Sequence, residues 1–137
     1  MTGTLGSQDR TEDQSIDRVA SGFFAAIERA DIDAIESYYA EDVEVWINVN
    51  PQTQGREQSV KLLRSFTKRI SELRYDIAMR EFFSGGFVQR HTIRGKLRSG
   101  ESLAVPVCVV VHIENDQITR LYEYMDSVAI APVFARS

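Results

Sequence analysis

Three stretches of the chain carry apolar residues at helical spacing. The first is predicted to be a helix over residues 11–27, because Thr11 and Gln14 have the spacing of a capping box and an apolar stripe follows them. This stripe consists of Ile16, Val19, Ala20, Phe23, Phe24 and Ile27. A short second helix is expected over residues 35–39. A third is expected to begin at Gly55 and to carry the apolar stripe Val60, Leu63, Phe66, Ile70 and Leu73.

Elsewhere the apolar residues alternate with a period of two, which is typical of strands. One strand is predicted over residues 43–48, and the segment "NPQTQG" after it is predicted to be a loop. Four more strands are predicted over residues 75–83, 87–97, 102–113 and 117–128. The segments between them ("SGG", "RSG" and "END") have hairpin length and therefore join antiparallel neighbours. This order predicts an α+β fold, with three N-terminal helices against a curved antiparallel sheet.

The same pattern predicts a single domain over residues 12–130, because neither a linker nor an internal repeat divides it. Residues 1–11 hold almost nothing to bury and are expected to form a mobile N-terminal tail. Residues 131–137 are expected to form a C-terminal tail.

The strand predicted over residues 102–113 is apolar at nearly every position, so both of its faces should be covered. The helices cover one face, and a second copy of the chain is the simplest cover for the other. We therefore expect a homodimer that forms through the outer side of the sheet. Ala104, Cys108, Val110, Tyr122 and Tyr124 are predicted to lie on that side. Pro106 favours a bulge, which would reverse the inward positions before it.

Composition narrows the possible partners and cofactors. A net charge of -4 argues against nucleic acid and anionic membrane, and no apolar run reaches the roughly 20 residues of a membrane span. The first residues do not resemble a secretory signal, and a single cysteine fits the reducing cytoplasm. The two histidines and the cysteine lack the spacing of metal ligands, and no phosphate-binding glycine loop is present. A cytoplasmic protein without metal or cofactor is expected.

Three segments resemble the nuclear transport factor 2-like superfamily, and within it the SnoaL-like branch. They are "IERADIDAIESYYAEDVEVW", "QGREQSVKLLRSF" and the terminal "GESL…VVVHIENDQITRLYEYMDS". The resemblance implies a cone-shaped molecule, in which the bent sheet wraps the helices around an apolar pocket open at one end. It also implies sheet-to-sheet dimers, which are common in the family. Members include ketosteroid isomerases, limonene-epoxide hydrolases, polyketide cyclases, dehydratases and non-catalytic binding domains.

The resemblance does not extend to the residues that ketosteroid isomerases use. Phe23 matches their oxyanion-donating tyrosine, and Asn48 matches their general-base aspartate. Their second acid has no counterpart in "VPVCVVV". Since all three positions differ, that mechanism is rejected.

The limonene-epoxide hydrolases match more of the sequence. Trp46 and Asn48 resemble their water-orienting tyrosine and asparagine after a shift of one residue, and Arg90 resembles their arginine. Thr92 stands where these enzymes have an aspartate, and threonine cannot replace it. Glu123 matches their second aspartate, so the resemblance implies a carboxylate that points into the pocket.

Two titratable residues are the main candidates for chemistry. Glu123 alternates with the apolar Leu121 and Met125, and an inward carboxylate has its pKa raised by loss of solvent. The alternative is that it pairs with a buried polar group and only orders the core. The hydrophobic pattern points His91 inward, whereas the ungapped family match would point Arg90 inward. His91 is then either a base oriented by the carboxylate or a core residue.

The sequence thus favours a small enzyme without cofactor that transfers protons in an apolar, oxygenated small molecule, by isomerisation, cyclisation, dehydration or epoxide hydrolysis. The alternative is a non-catalytic domain that binds a small ligand or a partner. The catalytic candidates are Glu123, His91 and Asn48. The candidates for substrate binding are Phe23, Tyr39, Trp46, Arg90, Val107, Leu121 and Met125.

Overall fold

The computed structural model describes the backbone of residues 2–135 and the side chains of residues 10–135. Its helices are α1 (Thr2–Glu28), α2 (Ile32–Tyr38), α3 (Arg56–Arg69) and α4 (Ser127–Phe134). Its strands are β1 (Tyr39–Ile47), β2 (Asn50–Gln54), β3 (Ile70–Phe83), β4 (Gly86–Leu97), β5 (Ser102–Glu114) and β6 (Gln117–Met125).

The six strands form one sheet in the order β2-β1-β6-β5-β4-β3. Strands β3 to β6 follow one another as antiparallel neighbours, as the short turns predict. The last strand, β6, then pairs with β1 in parallel. The sheet is curved and does not close, so the predicted α+β architecture is confirmed.

The core lies between the helices and the concave face of the sheet. The predicted apolar stripe of α1 is buried there, from Ile16 to Ile27. In β5 the odd-numbered residues are buried and the even-numbered ones are more exposed, which is the alternation of a strand with one face on a core.

Pro106 does not produce the bulge that its sequence position suggests. The pairing of β4 with β5 runs without interruption from Gly86 opposite His112 to Lys96 opposite Ser102. The Pro106 carbonyl accepts a hydrogen bond from the Asp126 nitrogen at 3.2 Å, just where β6 ends. In an antiparallel strand the nitrogen and the carbonyl group of one residue point towards the same neighbouring strand. The nitrogen of Pro106 therefore points towards the end of β6, where no carbonyl group requires a hydrogen-bond donor, and proline is tolerated.

Several element boundaries differ from the prediction. The third helix ends at Arg69, and Ile70 begins β3 by pairing with Leu97. A register shift between Ser71 and Arg74 lets Leu73 pack against the same core cluster as Ile70, although the two are three residues apart. The predicted loop contains the short edge strand β2, where Pro51 is tolerated. Helix α1 begins at Thr2 and not at residue 11. Whether the first residues are mobile stays a prediction.

The C-terminal boundary also needs correction. The strand predicted over residues 117–128 ends at Met125, and the Asp126 side chain caps α4 by accepting hydrogen bonds from Val128 N at 3.0 Å and Ala129 N at 3.1 Å. Ile130 and Val133 of α4 are buried, so the domain continues past residue 130, where a tail was expected. The last two residues of that expected tail lie outside the described residues. Within residues 2–135 no helix is both long enough and apolar enough to cross a membrane.

Candidate functional site

Two adjoining chambers lie between α3, α4 and the concave face of the sheet. The inner chamber has a volume of about 40 Å³ and reaches Phe23 and Tyr39 beneath α1. The outer chamber has a volume of about 700 Å³ and lies beside α4 and the turn after β1. Five residues line both chambers: Ile47, Leu62, Leu63, Tyr75 and Glu123. The outer volume falls within the range of about 300–1,000 Å³ that is typical of small-molecule sites.

Glu123 lies where the two chambers meet. It occupies the inward position of β6 between Leu121, which lines the inner chamber, and Met125, which lines the outer one. Its carboxyl group forms no hydrogen bond or ion pair with any described residue, so it is not held by a structural partner. Burial raises its pKa from 4.5 to about 7. Both its charged and its neutral form are therefore present near neutral pH.

Two tyrosines surround this carboxyl group. Tyr39 begins β1 and is 2% exposed, and Tyr75 points inward from β3. Burial raises the pKa of both hydroxyl groups well above 10, and the nearby charge of Glu123 raises it further. Neither hydroxyl hydrogen-bonds to another described residue. Both therefore stay protonated and can donate a hydrogen bond to a ligand.

The inward direction of His91 is confirmed. Phe87, Gln89, His91 and Ile93 are all almost completely buried, at 0–2% exposure. The His91 ring lies between the rings of Phe24 and Tyr75, with centroids 5.3 and 4.9 Å away.

His91 belongs to a buried hydrogen-bond chain and not to the chamber walls. Arg80 Nε donates to Gln89 Oε1 at 2.7 Å, so the amide nitrogen of Gln89 faces His91 Nδ1 at 2.9 Å. This leaves the ring proton on Nε2, an atom without a partner in the described structure. Burial and then the charge of Arg80 lower the pKa of His91 from 6.5 to about 4.

The structure does not bring His91 and Glu123 together as the expected acid and base. Glu123 lines both chambers and His91 lines neither. Tyr75 explains this, since its side chain contacts His91 and itself forms part of both chamber walls. Tyr75 is thus the residue that lines both chambers together with Glu123 and carries a hydroxyl group, and the sequence reasoning missed it.

Asn48 is held by main-chain hydrogen bonds. Its Nδ2 donates to the Met125 carbonyl at 3.0 Å, and its Oδ1 accepts from the Met125 nitrogen at 3.0 Å. The side chain therefore extends the β1–β6 pairing beyond Ile47, where β1 ends. Asn48 borders the outer chamber, but these bonds engage both ends of its amide. It fits the role of a clamp better than the expected role of positioning a substrate.

Two of the expected substrate-binding residues lie on the outer face of the sheet. Trp46 is paired with Tyr122 and contacts the Tyr124 ring at 5.2 Å, because Val45 occupies the inward position before it. Arg90 is exposed between two buried neighbours on β4. Neither can line the chambers, so both expectations are corrected.

The other expected binding residues face the core. Phe23, Tyr39 and Leu121 line the inner chamber, and Met125 lines the outer one. Val107 is buried but packs in a separate core cluster together with residues of α4, and it lines neither chamber.

Further lining residues were not predicted as site residues. Besides Tyr75, they include Ser59 and Leu63 on α3 and Ile130 and Phe134 on α4. Ser59 lies four residues before Leu63 on the same helix face, and this spacing was the signal available in the sequence. Among the described residues, no group of three or more His, Cys, Asp or Glu side chains is arranged to hold a metal ion.

Solved structures with the same fold include enzymes and proteins of unknown function. An LEH-like epoxide hydrolase from M. tuberculosis is 19% identical with a TM-score of 0.71, over 88% of this chain and 89% of the other. A protein from Catenulispora acidiphila with a ketosteroid isomerase-like fold, solved with trimethylamine, is 17% identical with a TM-score of 0.74, over 87% and 97%. An NTF2-like protein of unknown function from Burkholderia pseudomallei is 18% identical with a TM-score of 0.75, over 88% and 98%. At these identities the likeness concerns the fold alone.

The family model of the SnoaL-like domain matches residues 20–121. This range includes α2, α3 and all strands up to the middle of β6. No curated protein matches the sequence significantly.

Proposed function

Because the chain belongs to the SnoaL-like family, we propose that it is a small enzyme that works without a cofactor and transfers protons in an apolar, oxygenated small molecule. The observation that carries this proposal is Glu123, an unpaired carboxyl group at the floor of a cavity of about 700 Å³. Isomerisation, cyclisation, dehydration and epoxide hydrolysis are the reaction types that such a group can serve.

Glu123 has the properties of a general acid or base. A catalytic group works best when its pKa lies near the working pH, and burial brings the pKa of Glu123 to about 7. A structural carboxylate in a core is normally paired, whereas this one faces a space large enough for a substrate.

The hydroxyl group of Tyr75 supplies the second half of the site. It is a neutral donor beside Glu123, and hydrogen bonds from fixed donors stabilise an oxygen atom on which negative charge develops. In this proposal Glu123 moves the proton, and Tyr75, which lines both chambers, binds the substrate oxygen. His91 supports the Tyr75 ring from behind.

The outer chamber indicates the kind of substrate. Its wall is mainly apolar, formed among others by Leu62, Phe66, Ile93, Met125 and Ile130. Its polar lining residues are Asn48, Asn50, Tyr75, Glu123 and Ser127. An apolar skeleton with one reactive oxygen-bearing end therefore fits this chamber.

The test is the activity of Glu123→Gln, which keeps the shape of the side chain and removes its acid–base function. Purified protein is first screened with a panel of epoxides, unsaturated ketones and polyphenolic polyketides. On any substrate found, we expect the variant to lose about 100-fold or more in kcat, in line with general acid–base catalysis. Glu44→Gln, on the exposed outer face, is the matched control and should be fully active. Full activity of Glu123→Gln would contradict the assignment of Glu123 as the acid–base group.

A non-catalytic ligand-binding domain is the second candidate function. It is favoured because the side chains of His91 and Asn48 form hydrogen bonds within the protein. Of the three catalytic candidates, Glu123 alone is then an acid–base group at the cavity. This alternative predicts that wild type and Glu123→Gln bind the same apolar ligands in calorimetry and that neither converts them.

A further inference from the structure

Ser59 is a buried polar residue that neither the core nor the proposed function explains. It lies in the first turns of α3, is 2% exposed and lines the inner chamber. Its main-chain nitrogen bonds to the Gly55 carbonyl at 3.0 Å, as expected within a helix. Its Oγ atom, however, has no hydrogen-bond partner in the described structure. A buried hydroxyl without a partner is costly, so native proteins commonly satisfy it with an ordered water.

The inner chamber has the size and the polarity that a water requires. Its volume of about 40 Å³ is too small for an apolar substrate, but it exceeds the roughly 10–15 Å³ that one water needs. Four polar side chains line it: Tyr39, Ser59, Tyr75 and Glu123. A buried water typically makes about three hydrogen bonds, so these groups suffice. An empty cavity, by contrast, is normally lined by apolar groups alone.

We propose that the inner chamber is a water-binding site in which an ordered water bridges Ser59 Oγ and the carboxyl group of Glu123. The hydroxyl groups of Tyr39 and Tyr75 complete its surroundings. Ser59 is then a positioning residue, since it lines the inner chamber and does not reach the outer one.

This arrangement gives Glu123 two different neighbours. The water lies on its inner side and the substrate on its outer side. The water donates a hydrogen bond to the carboxylate when Glu123 is ionised and accepts one when Glu123 is protonated. It can therefore stabilise Glu123 in both of the protonation states that proton transfer to and from a substrate requires. That role rests on the proposed function, whereas the binding of the water does not.

The first test is a high-resolution crystal structure of the full chain, as wild type and as Ser59→Ala. We expect density for a water about 2.8 Å from both Ser59 Oγ and a Glu123 oxygen in the wild type. It should be lost or displaced in Ser59→Ala. Ser65→Ala removes a hydroxyl from the same helix, one that accepts a bond from Arg69 at 3.2 Å, and should leave the water in place. A dry chamber in the wild type, or an Oγ bonded to a main-chain carbonyl, overturns the proposal.

The second test is the pKa of Glu123, followed by carbon NMR of its carboxyl group during a pH titration. Loss of the water removes a hydrogen bond to the charged form, so the pKa in Ser59→Ala should rise by about half a unit or more. Ser65→Ala should not change it. An unchanged pKa in Ser59→Ala contradicts the bridging water. An active Glu123→Gln variant would instead refute the proposed function, and the crystallographic water would be unaffected by that result.

Discussion

Glu123 is partly buried at the cavity and His91 is buried in the core, and this burial moves the pKa values of the two residues in opposite directions. The pKa of Glu123 rises to about 7 and that of His91 falls to about 4, since in each case burial favours the neutral form. The stabilising effect of Glu123 is complete below pH 4.5 and is lost as the pH rises through 7. That of His91 is complete above pH 6.5 and is lost as the pH falls through 4. As the pH rises from 4.5 to 6.5, the contribution of Glu123 to stability therefore falls while that of His91 rises.

Glu123→Gln should separate the two effects. At pH 8 the wild type holds a buried charge that the variant lacks, so the variant should be more stable by up to about 3 kcal/mol. At pH 4.5 the folded wild type is already neutral at this position, and the difference should nearly vanish. Urea unfolding at both pH values measures it. An equal difference at pH 4.5 and pH 8 would show that Glu123 titrates normally.

The apolar pattern predicts inward residues better than the family match does. In β4 the apolar pattern predicts that His91 points inward, and it does. In β1 the family match predicts that Trp46 lines the pocket, but Trp46 lies on the outer face, and Val43 and Val45 occupy the inward positions. Tyr75 could not be singled out, because one sequence does not show that a tyrosine hydroxyl faces a cavity and not solvent.

At the scale of elements, local patterns predicted the long helices and strands but not the short ones. Helix α4 has the sequence "SVAIAPVF", in which every residue after Ser127 is apolar, so no alternation of apolar and polar residues marks a helical period. Its one local signal is Asp126, a good N-cap residue directly after a strand. The parallel pairing of β6 with β1 is set by the tertiary structure, so no local pattern contains it.

The side chain of Asn48 links two of these elements, and its removal should weaken the join. Asn48→Ala loses both hydrogen bonds to Met125, and we expect a loss of about 1–3 kcal/mol in the free energy of unfolding. The amide of Met125 should also exchange faster with deuterium. Asn50→Ala, beside the same chamber, is the control. If both variants were equally stable, Asn48 would not act as a clamp.

At the scale of the whole molecule, the outer face of the sheet presents an apolar and aromatic surface. Cys108 is paired with Tyr124 and Val110 with Tyr122, so these residues share the side away from the helices, as predicted. Trp46 extends this surface through its contact with Tyr124, which is 50% exposed. Soluble monomers rarely leave a large apolar surface of this kind uncovered.

We therefore expect a homodimer that forms through this face. Sedimentation equilibrium at micromolar concentration should give about twice the chain mass of 15.5 kDa. Val110→Asp should reduce the mass to that of one chain, because the interface would then bury an unpaired charge. Val128→Asp, at an exposed position of α4, should remain dimeric. The opposite pattern would place the interface at α4, and a single-chain mass for the wild type would exclude the dimer.

The parallel pairing of β1 with β6 also determines when the sheet can be completed during translation. Asn48 and Met125 are 77 residues apart in sequence, so the ribosome adds β2, α3, β3, β4 and β5 before β1 can pair with β6. During that interval the short β2 is its one strand neighbour, and its other edge is open to neighbouring nascent chains. Contacts so distant in sequence also slow refolding. Glu123 lies on the strand that fills this position beside β1, so the cavity is complete only after β6 and α4 have been synthesised.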